Sequence, residues 1–219
     1  MKEQVIKNIL WHRVITIVRG VYGEDCLKLA RALYAGGIRL LEVTFDQARP
    51  EDHQKTADTI CLLCENLGDK MDFGAGTVTT PELVAMAKHA GARFIISPDT
   101  DEAVIRATVE SGLVSMPGAL TPTEVLSAHR FGGDFVKLFP AGDMGPGYLK
   151  AIHAPLNHIR LLAMGGLNPH NIPAFLSAGA VGFGIGGDLV NKQWIAAGEF
   201  EKITALAQEY VLASGATRE

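Results

Sequence analysis

The stretch Leu161-Leu-Ala-Met-Gly-Gly-Leu-Asn-Pro-His-Asn-Ile-Pro-Ala-Phe-Leu-Ser-Ala-Gly-Ala-Val-Gly-Phe-Gly-Ile185 reads as a complete strand–helix–strand unit. Leu161–Met164 and Gly182–Ile185 are short apolar runs without period-two alternation, as expected of parallel strands covered on both faces. Between them, Pro169–Ala178 carries a helical pattern. Asn168 stands before it as a plausible N-cap, and Ser177-Ala-Gly179 closes it with a residue that tolerates the left-handed conformation. A strand returning parallel to its predecessor needs such a crossover helix.

The same unit recurs on both sides. Further strands are expected at Val14–Val18, Leu40–Thr44, Asp72–Gly74, Phe94–Ser97, Val114–Met116 and Phe135–Phe139. Helices are expected at Glu24–Tyr34, Asp52–Leu67, Pro81–His89, Asp101–Glu110, Pro122–Ala128, Pro146–His153 and Phe200–Ala213. Pro81, Pro122, Pro146 and Pro169 lie near helix starts, where a missing N–H matters little, and Thr80 and Thr121 are candidate N-caps. Ala35-Gly-Gly37, His89-Ala-Gly91 and Ser111-Gly112 end helices just ahead of the next strand. Eight such units in 219 residues, evenly spaced and without a linker, predict a single α/β domain over residues 1–219. The expected fold is a compact (β/α)8 TIM barrel, with an open doubly wound sheet as the competing architecture.

Hydrophobic residues make up 47% of the chain, charged residues 20%, and the net charge is -4. That balance is ordinary for a soluble protein and offers no basic stripe for nucleic acid. Charges at Lys2, Glu3, Lys7, His12 and Arg13 interrupt any secretory apolar run, and no stretch is long enough to span a bilayer, so no membrane partner and a cytoplasmic location are expected. Cys26, Cys61 and Cys64 suggest no disulfide framework. Cys61-Leu-Leu-Cys64 has the spacing of a zinc or redox pair but lies in a helical pattern with no second pair nearby, which predicts burial against the core. The seven histidines form no metal-binding spacing, and no metal or cofactor is expected.

In a barrel the chemistry sits at the C-terminal ends of the strands. Lys137 is the most informative residue there, a lone ammonium within Asp134-Phe-Val-Lys-Leu-Phe-Pro140. A buried lysine tends to lose its proton, and the neutral amine can condense with a ketone. The competing reading is a lysine that snorkels to water or closes an ion pair. Glu42, inside Leu40-Leu-Glu-Val43, would have a raised pKa if buried and could move protons near neutrality; otherwise it pairs with Arg39 or Arg19. Arg19 ends the first strand and suits a substrate carboxylate, though a surface arginine would look the same. The pairs Gly165-Gly166 and Gly186-Gly187 end the last two strands, where glycine turns form phosphate cradles in barrels. Gly182-Phe-Gly-Ile-Gly-Gly187 also matches a dinucleotide fingerprint, but too little chain follows it for a nucleotide domain.

With these residues in place, the chain resembles the class I aldolases that cleave 2-keto-3-deoxy-6-phospho sugar acids and 4-hydroxy-2-oxoglutarate. Leu41-Glu-Val-Thr44, Gly74-Ala-Gly-Thr-Val78, Ile96-Ser-Pro98, Val136-Lys-Leu-Phe-Pro-Ala141, Met164-Gly-Gly166 and Gly184-Ile-Gly-Gly187 carry the resemblance, in order along almost the whole chain. It implies Lys137 as the Schiff-base lysine and Glu42 as the proton shuttle. Arg19 and Thr77 would hold the pyruvate-derived carboxylate, with Phe139 beside the lysine and Pro98 in the fourth-strand motif lining the substrate site. The N–H groups of Gly165, Gly166, Gly186 and Gly187 would hold a phosphate. A small keto acid is the implied substrate and a homotrimer the implied assembly. Two positions depart from gluconate-type members: Asp46 stands where they commonly have arginine, and Asp188 where they tend to have serine. The galactonate-type branch also has an acid after its last turn, and Gly145-Pro-Gly-Tyr-Leu-Lys150 resembles that branch. From the residues alone, a phosphosugar isomerase or epimerase, a metal-assisted aldolase drawing on Glu42 with Asp46 or Asp99, and a non-catalytic sugar-acid binder remain open.

Overall fold

In a computed structural model that describes residues 1–216, the strands form one parallel sheet in the order β5-β4-β3-β2-β1-β9-β8-β7-β6. They are β1 (Val14–Val18), β2 (Leu40–Thr44), β3 (Asp72–Gly76), β4 (Phe94–Ile96), β5 (Val114–Met116), β6 (Gly118–Ala119), β7 (Val136–Leu138), β8 (Leu161–Met164) and β9 (Gly182–Ile185). The two outermost members, β5 and β6, are one run of chain interrupted at Pro117, which has no N–H to donate to a ladder. Asp134 N donates to Ser115 O at 2.9 Å, Lys137 N to Pro117 O at 2.8 Å, and Phe139 N to Ala119 O at 3.1 Å. The last strands therefore bond to both halves of the fifth, and the sheet closes into a (β/α)8 barrel. The extra strand is the Pro117 break, not a ninth unit.

The helices between the strands are α2 (Gly23–Ala35), α3 (His53–Leu67, after a short 3-10 turn Pro50–Asp52), α4 (Pro81–His89), α5 (Glu102–Glu110), α6 (Pro122–Arg130), α7 (Ala141–His153) and α8 (Ile172–Ser177). Thr80 and Thr121 cap α4 and α6 as expected, and Thr121 with Glu124 completes a reciprocal capping box. Gly37, Gly91, Gly112 and Gly179 all have positive φ, and the residue after each donates back five residues, as from Ile38 to Leu33 at 3.0 Å. Each helix is thus turned into its strand by the same C-terminal motif. Asn168 differs from its expected role. Its side chain accepts from His170 N and Asn171 N in a local turn, and α8 starts later, with Pro173 in its first turn. Within α7, Gly145 (φ 80°, ψ 162°) breaks the helix, so Pro146 opens only its second part.

Three helices complete the chain: α1 (Lys2–His12), α9 (Lys192–Ala197) and α10 (Phe200–Ala213). Neither α1 nor α9 has a counterpart among the expected elements. Helix α1 turns Val5, Ile6 and Ile9 into the cluster formed by Ile15, Leu40, Phe94, Val114, Phe135 and Leu162 inside the barrel. It thereby seals the N-terminal end, and Asn8 Nδ2 donates to Asp72 Oδ2 at 2.6 Å beneath it. The outer cluster lies between sheet and helices and takes the alternate strand residues, such as Leu41, Val43, Phe73 and Ala75. Among the described residues, no helix is long and apolar enough to cross a membrane.

The cysteine pair corrects the expected burial. The core stripe of α3 is Thr56, Ile60, Leu63 and Leu67; Cys64 flanks it, with Sγ 3.4 Å from Gly91 O, whereas Cys61 is exposed. Helices α2 and α10 meet very closely at Gly36. A Cβ there would lie 2.5 Å from Ala207 Cβ and 2.8 Å from Thr204 O. Gly36→Ala is expected to force the two helices apart and lower stability by about 1–3 kcal/mol, read from urea denaturation.

Candidate active site

Period-two alternation decides which side chains enter the barrel. On β2, Leu40, Glu42 and Thr44 point inward, and the register pairs Ile17 with Glu42 and Glu42 with Gly74. Lys137 pairs with Gly118 on one side and Leu162 on the other. Above the apolar plug these inward positions open at the C-terminal end into a cavity of about 540 Å³. Glu42, Lys137, Arg19, Thr77, Pro98 and Phe139 line it, and so do the glycine pairs Gly165-Gly166 and Gly186-Gly187. The fold thus brings all ten residues that the aldolase resemblance assigns to the site into one cavity, and leaves Asp46 and Asp99 out of its lining.

Glu42 is only 2% exposed, and its Oε2 is buried without a hydrogen-bond partner. Burial pushes its pKa up to about 7, against the opposing pull of Lys137 and Arg19. Neither alternative partner engages it: Arg39 stacks on the Tyr34 ring at 4.2 Å and donates to Tyr34 O and Ile38 O, while Arg19 Nη2 donates to Thr77 Oγ1 at 3.3 Å. Thr44 Oγ1, on the same face, is likewise buried without a partner. Such orphaned oxygens cost about 1–3 kcal/mol each, and they cluster where chemistry needs poised groups. Gly76 leaves room for the carboxyl, since a Cβ there would stand 2.5 Å from Glu42 Oε1.

Lys137 is half-buried, and its Nζ lies 4.9 Å from the centre of the Phe139 ring. Burial lowers its pKa; Glu42 and Asp99 pull it back up, and Arg19 pushes it down. The lysine is held in a closed barrel, with no sheet edge from which to snorkel. Glu42 and Lys137 are therefore both displaced toward their neutral forms, which suits an amine nucleophile beside a proton carrier. Asp46 is drawn to Arg49 at 3.0 Å, and among the described residues no three His, Cys, Asp or Glu side chains converge.

At the rim, Gly165 and Gly166 both have positive φ (85° and 70°). Their carbonyls are taken by Gly142 N at 2.8 Å and Asn171 Nδ2 at 3.0 Å. Among the described residues the N–H groups of Gly165, Gly166, Gly186 and Gly187 have no protein acceptor, and a Cβ on Gly186 or Gly187 would meet nothing. Two bare backbone turns facing a cavity can receive an anion.

A family model described as KDPG and KHG aldolase matches residues 5–206. The chain belongs to this aldolase family. Among its relatives, a 2-dehydro-3-deoxy-phosphogluconate aldolase of Treponema pallidum is 35% identical over 90% of this chain and 91% of its own. A 2-dehydro-3-deoxy-6-phosphogalactonate aldolase of Escherichia coli is 33% identical over 80% of this chain and 83% of its own. Among solved structures, a KDPG aldolase from Legionella pneumophila with pyruvate captured as a covalent carbinolamine intermediate superposes with a TM-score of 0.82. It is 30% identical and covers 95% of this chain and 97% of that one. Members of the family are aldehyde-lyases, and this aldolase is one.

The contacts and conformations of three further residues in the aldolase's site were outside the sequence reading. Asp188, the departure after the last glycine pair, accepts a hydrogen bond from Tyr210 Oη at 2.8 Å. The same hydroxyl lies 3.4 Å from Leu167 O, so one buried tyrosine on α10 ties both glycine turns together. Asn168 lines the cavity rather than capping a helix. Thr77 has φ 55°, a left-handed conformation rare for a β-branched residue. The only sequence sign of that strain was its place directly after Gly74-Ala-Gly76.

Proposed function

We propose that this aldolase cleaves a 2-keto-3-deoxy-6-phospho sugar acid or 4-hydroxy-2-oxoglutarate to pyruvate and an aldehyde, through a Schiff base on Lys137. The observation that carries the reading is the meeting of a half-buried lysine with lowered pKa and a buried carboxyl raised to about 7 in one cavity. Neutral Nζ attacks the C2 ketone, and the protonated Glu42 carboxyl gives its proton to the departing hydroxyl, so that water leaves and an iminium forms. Glu42, now a carboxylate, removes the C4 hydroxyl proton. The C3–C4 bond breaks, its electron pair passes into the iminium, and an aldehyde and an enamine result. Protonation at C3 and addition of water then release pyruvate and restore the amine. A group that titrates near 7 can serve in both directions at neutral pH.

Arg19 and the Thr77 hydroxyl bind the substrate carboxylate, which holds the ketone near Lys137. Phe139 packs beside the lysine and Pro98 forms part of the wall. The free N–H groups of Gly165, Gly166, Gly186 and Gly187 receive the distal phosphate of phosphorylated substrates. Tyr210 donates to the Asp188 carboxylate and fixes its direction at the edge of this turn. The retained acid, and the absence of an arginine at Asp46, favour a galactonate-type substrate. The family resemblance further supports one barrel domain acting as a homotrimer in the cytoplasm.

Borohydride reduction in the presence of pyruvate is expected to fix a stable adduct on the peptide that contains Lys137, read by mass. Label on another lysine, or none at saturating pyruvate, would remove the Schiff-base reading.

A further inference from the structure

We propose that Gln47 is a positioning residue for the substrate carboxylate, acting as a two-point staple on the strained Thr77. This rests on the reading that Arg19 and Thr77 bind that carboxylate. Gln47 lies on the exposed loop between β2 and α3, outside the core. Its Nε2 donates to Thr77 O at 2.8 Å, and its Oε1 accepts from Thr79 Oγ1 at 3.1 Å. Both bonds hold the chain at and just after the residue at φ 55°, whose hydroxyl in turn accepts from Arg19. A β-branched residue leaves the left-handed region unless its surroundings hold it there. The local sequence supplies no glycine at position 77 to relieve the strain, so the hold must come from outside the turn. Gln47 is placed to supply it, fixing the carbonyl that would otherwise swing as Thr77 relaxed to an extended conformation. Relaxation would turn the Thr77 hydroxyl away from Arg19 and loosen both groups that face the carboxylate.

The loop that carries Gln47 is itself pinned. Asp46 Oδ1 accepts from Ala48 N at 3.0 Å, Asp46 Oδ2 accepts from Arg49, and His53 Nε2 lies 3.0 Å from Asp46 O. Asp46 therefore has a role as an anchor for the neighbouring glutamine.

The test measures the pyruvate concentration for half-maximal borohydride trapping on Lys137, the trapping rate at saturation, and the melting temperature. In Gln47→Ala the half-maximal concentration is expected to rise about tenfold, the energy of one or two lost hydrogen bonds set against the backbone strain. The saturating rate and melting temperature are expected to stay at the unmodified values. Gln47→Glu cannot donate to Thr77 O and is expected to behave in the same way. Thr77→Ser placed on Gln47→Ala removes the β-branch and keeps the hydroxyl, so it should recover part of the loss. An unchanged half-maximal concentration in Gln47→Ala would overturn the proposal, as would a loss that Thr77→Ser fails to relieve or that comes with a lower melting temperature. Arg19→Ala separates the two readings: if it leaves pyruvate binding unchanged, the carboxylate site itself is misplaced; if it weakens binding while Gln47→Ala does not, only the staple fails.

Discussion

Lys137→Ala is expected to lower kcat/KM by on the order of 10⁵-fold, because it removes the nucleophile and with it the electron sink that makes C3–C4 cleavage accessible. The remaining groups still bind the keto acid, so ligand-induced thermal stabilisation by pyruvate should persist in reduced form while trapping disappears. Stability itself should not suffer, since the variant deletes a half-buried amine whose charged form the site disfavours. Lys137→Arg sharpens the point. A guanidinium keeps its charge at every accessible pH and cannot form the imine, so this variant should be equally inactive although it preserves a cation. It should also hold Glu42 ionised by placing a permanent positive charge beside it. Cleavage within tenfold of the parent in either variant would rule out covalent catalysis at this position.

Glu42→Gln is expected to lower kcat by about 10²–10⁴-fold, the usual worth of a positioned acid–base group, with a much smaller change in KM. Its effect on stability has a definite sign. Burial raises the Glu42 pKa from 4.5 to about 7. The folded protein therefore holds this proton more tightly than the unfolded chain does. That contribution is complete below pH 4.5 and is lost as pH rises through 7. A neutral amide in its place does not titrate, so the variant should be more stable than the parent above pH 7, by about 3 kcal/mol from the size of the shift, and the gain should shrink toward pH 5. Urea denaturation at pH 5 and pH 8 measures the difference. The amide also removes the charge that raises the Lys137 pKa, so that pKa moves further down and the loss of rate cannot be assigned to added protonation of the amine. Equal stability of the two proteins at pH 8, or a rate loss below tenfold, would contradict the assigned role.

How legible this was in the sequence varied with the physics of each part. Lys137 and Glu42 were visible because a charge inside an apolar strand has few outcomes, and the Gly165-Gly166 turn because its positive φ is a conformation that side chains disfavour. The helix ends at Gly37, Gly91, Gly112 and Gly179 were visible for the same reason. Helix α1 was not, since only Val5, Ile6 and Ile9 of its residues are buried and the rest read as a solvated tail. Helix α9 buries no residue and leaves no periodic trace. The break at Pro117 depends on which neighbour would have accepted its missing N–H, which is a property of the closed sheet. Cys61 failed as a core residue because a helix turns it just past the edge of a stripe that still holds its neighbour Ile60. The Gln47 and Tyr210 contacts join positions 30, 22 and 43 residues apart, beyond any local pattern.

The helix that corks the lower end of the barrel fixes the traffic through it. With that exit shut, reactant and both products share one doorway, and on the proposed mechanism the pyruvyl fragment would stay on the lysine while the other fragment is released. On that mechanism the aldehyde would depart first, the enamine would wait for its proton behind it, and pyruvate would go last, a strict queue through one opening.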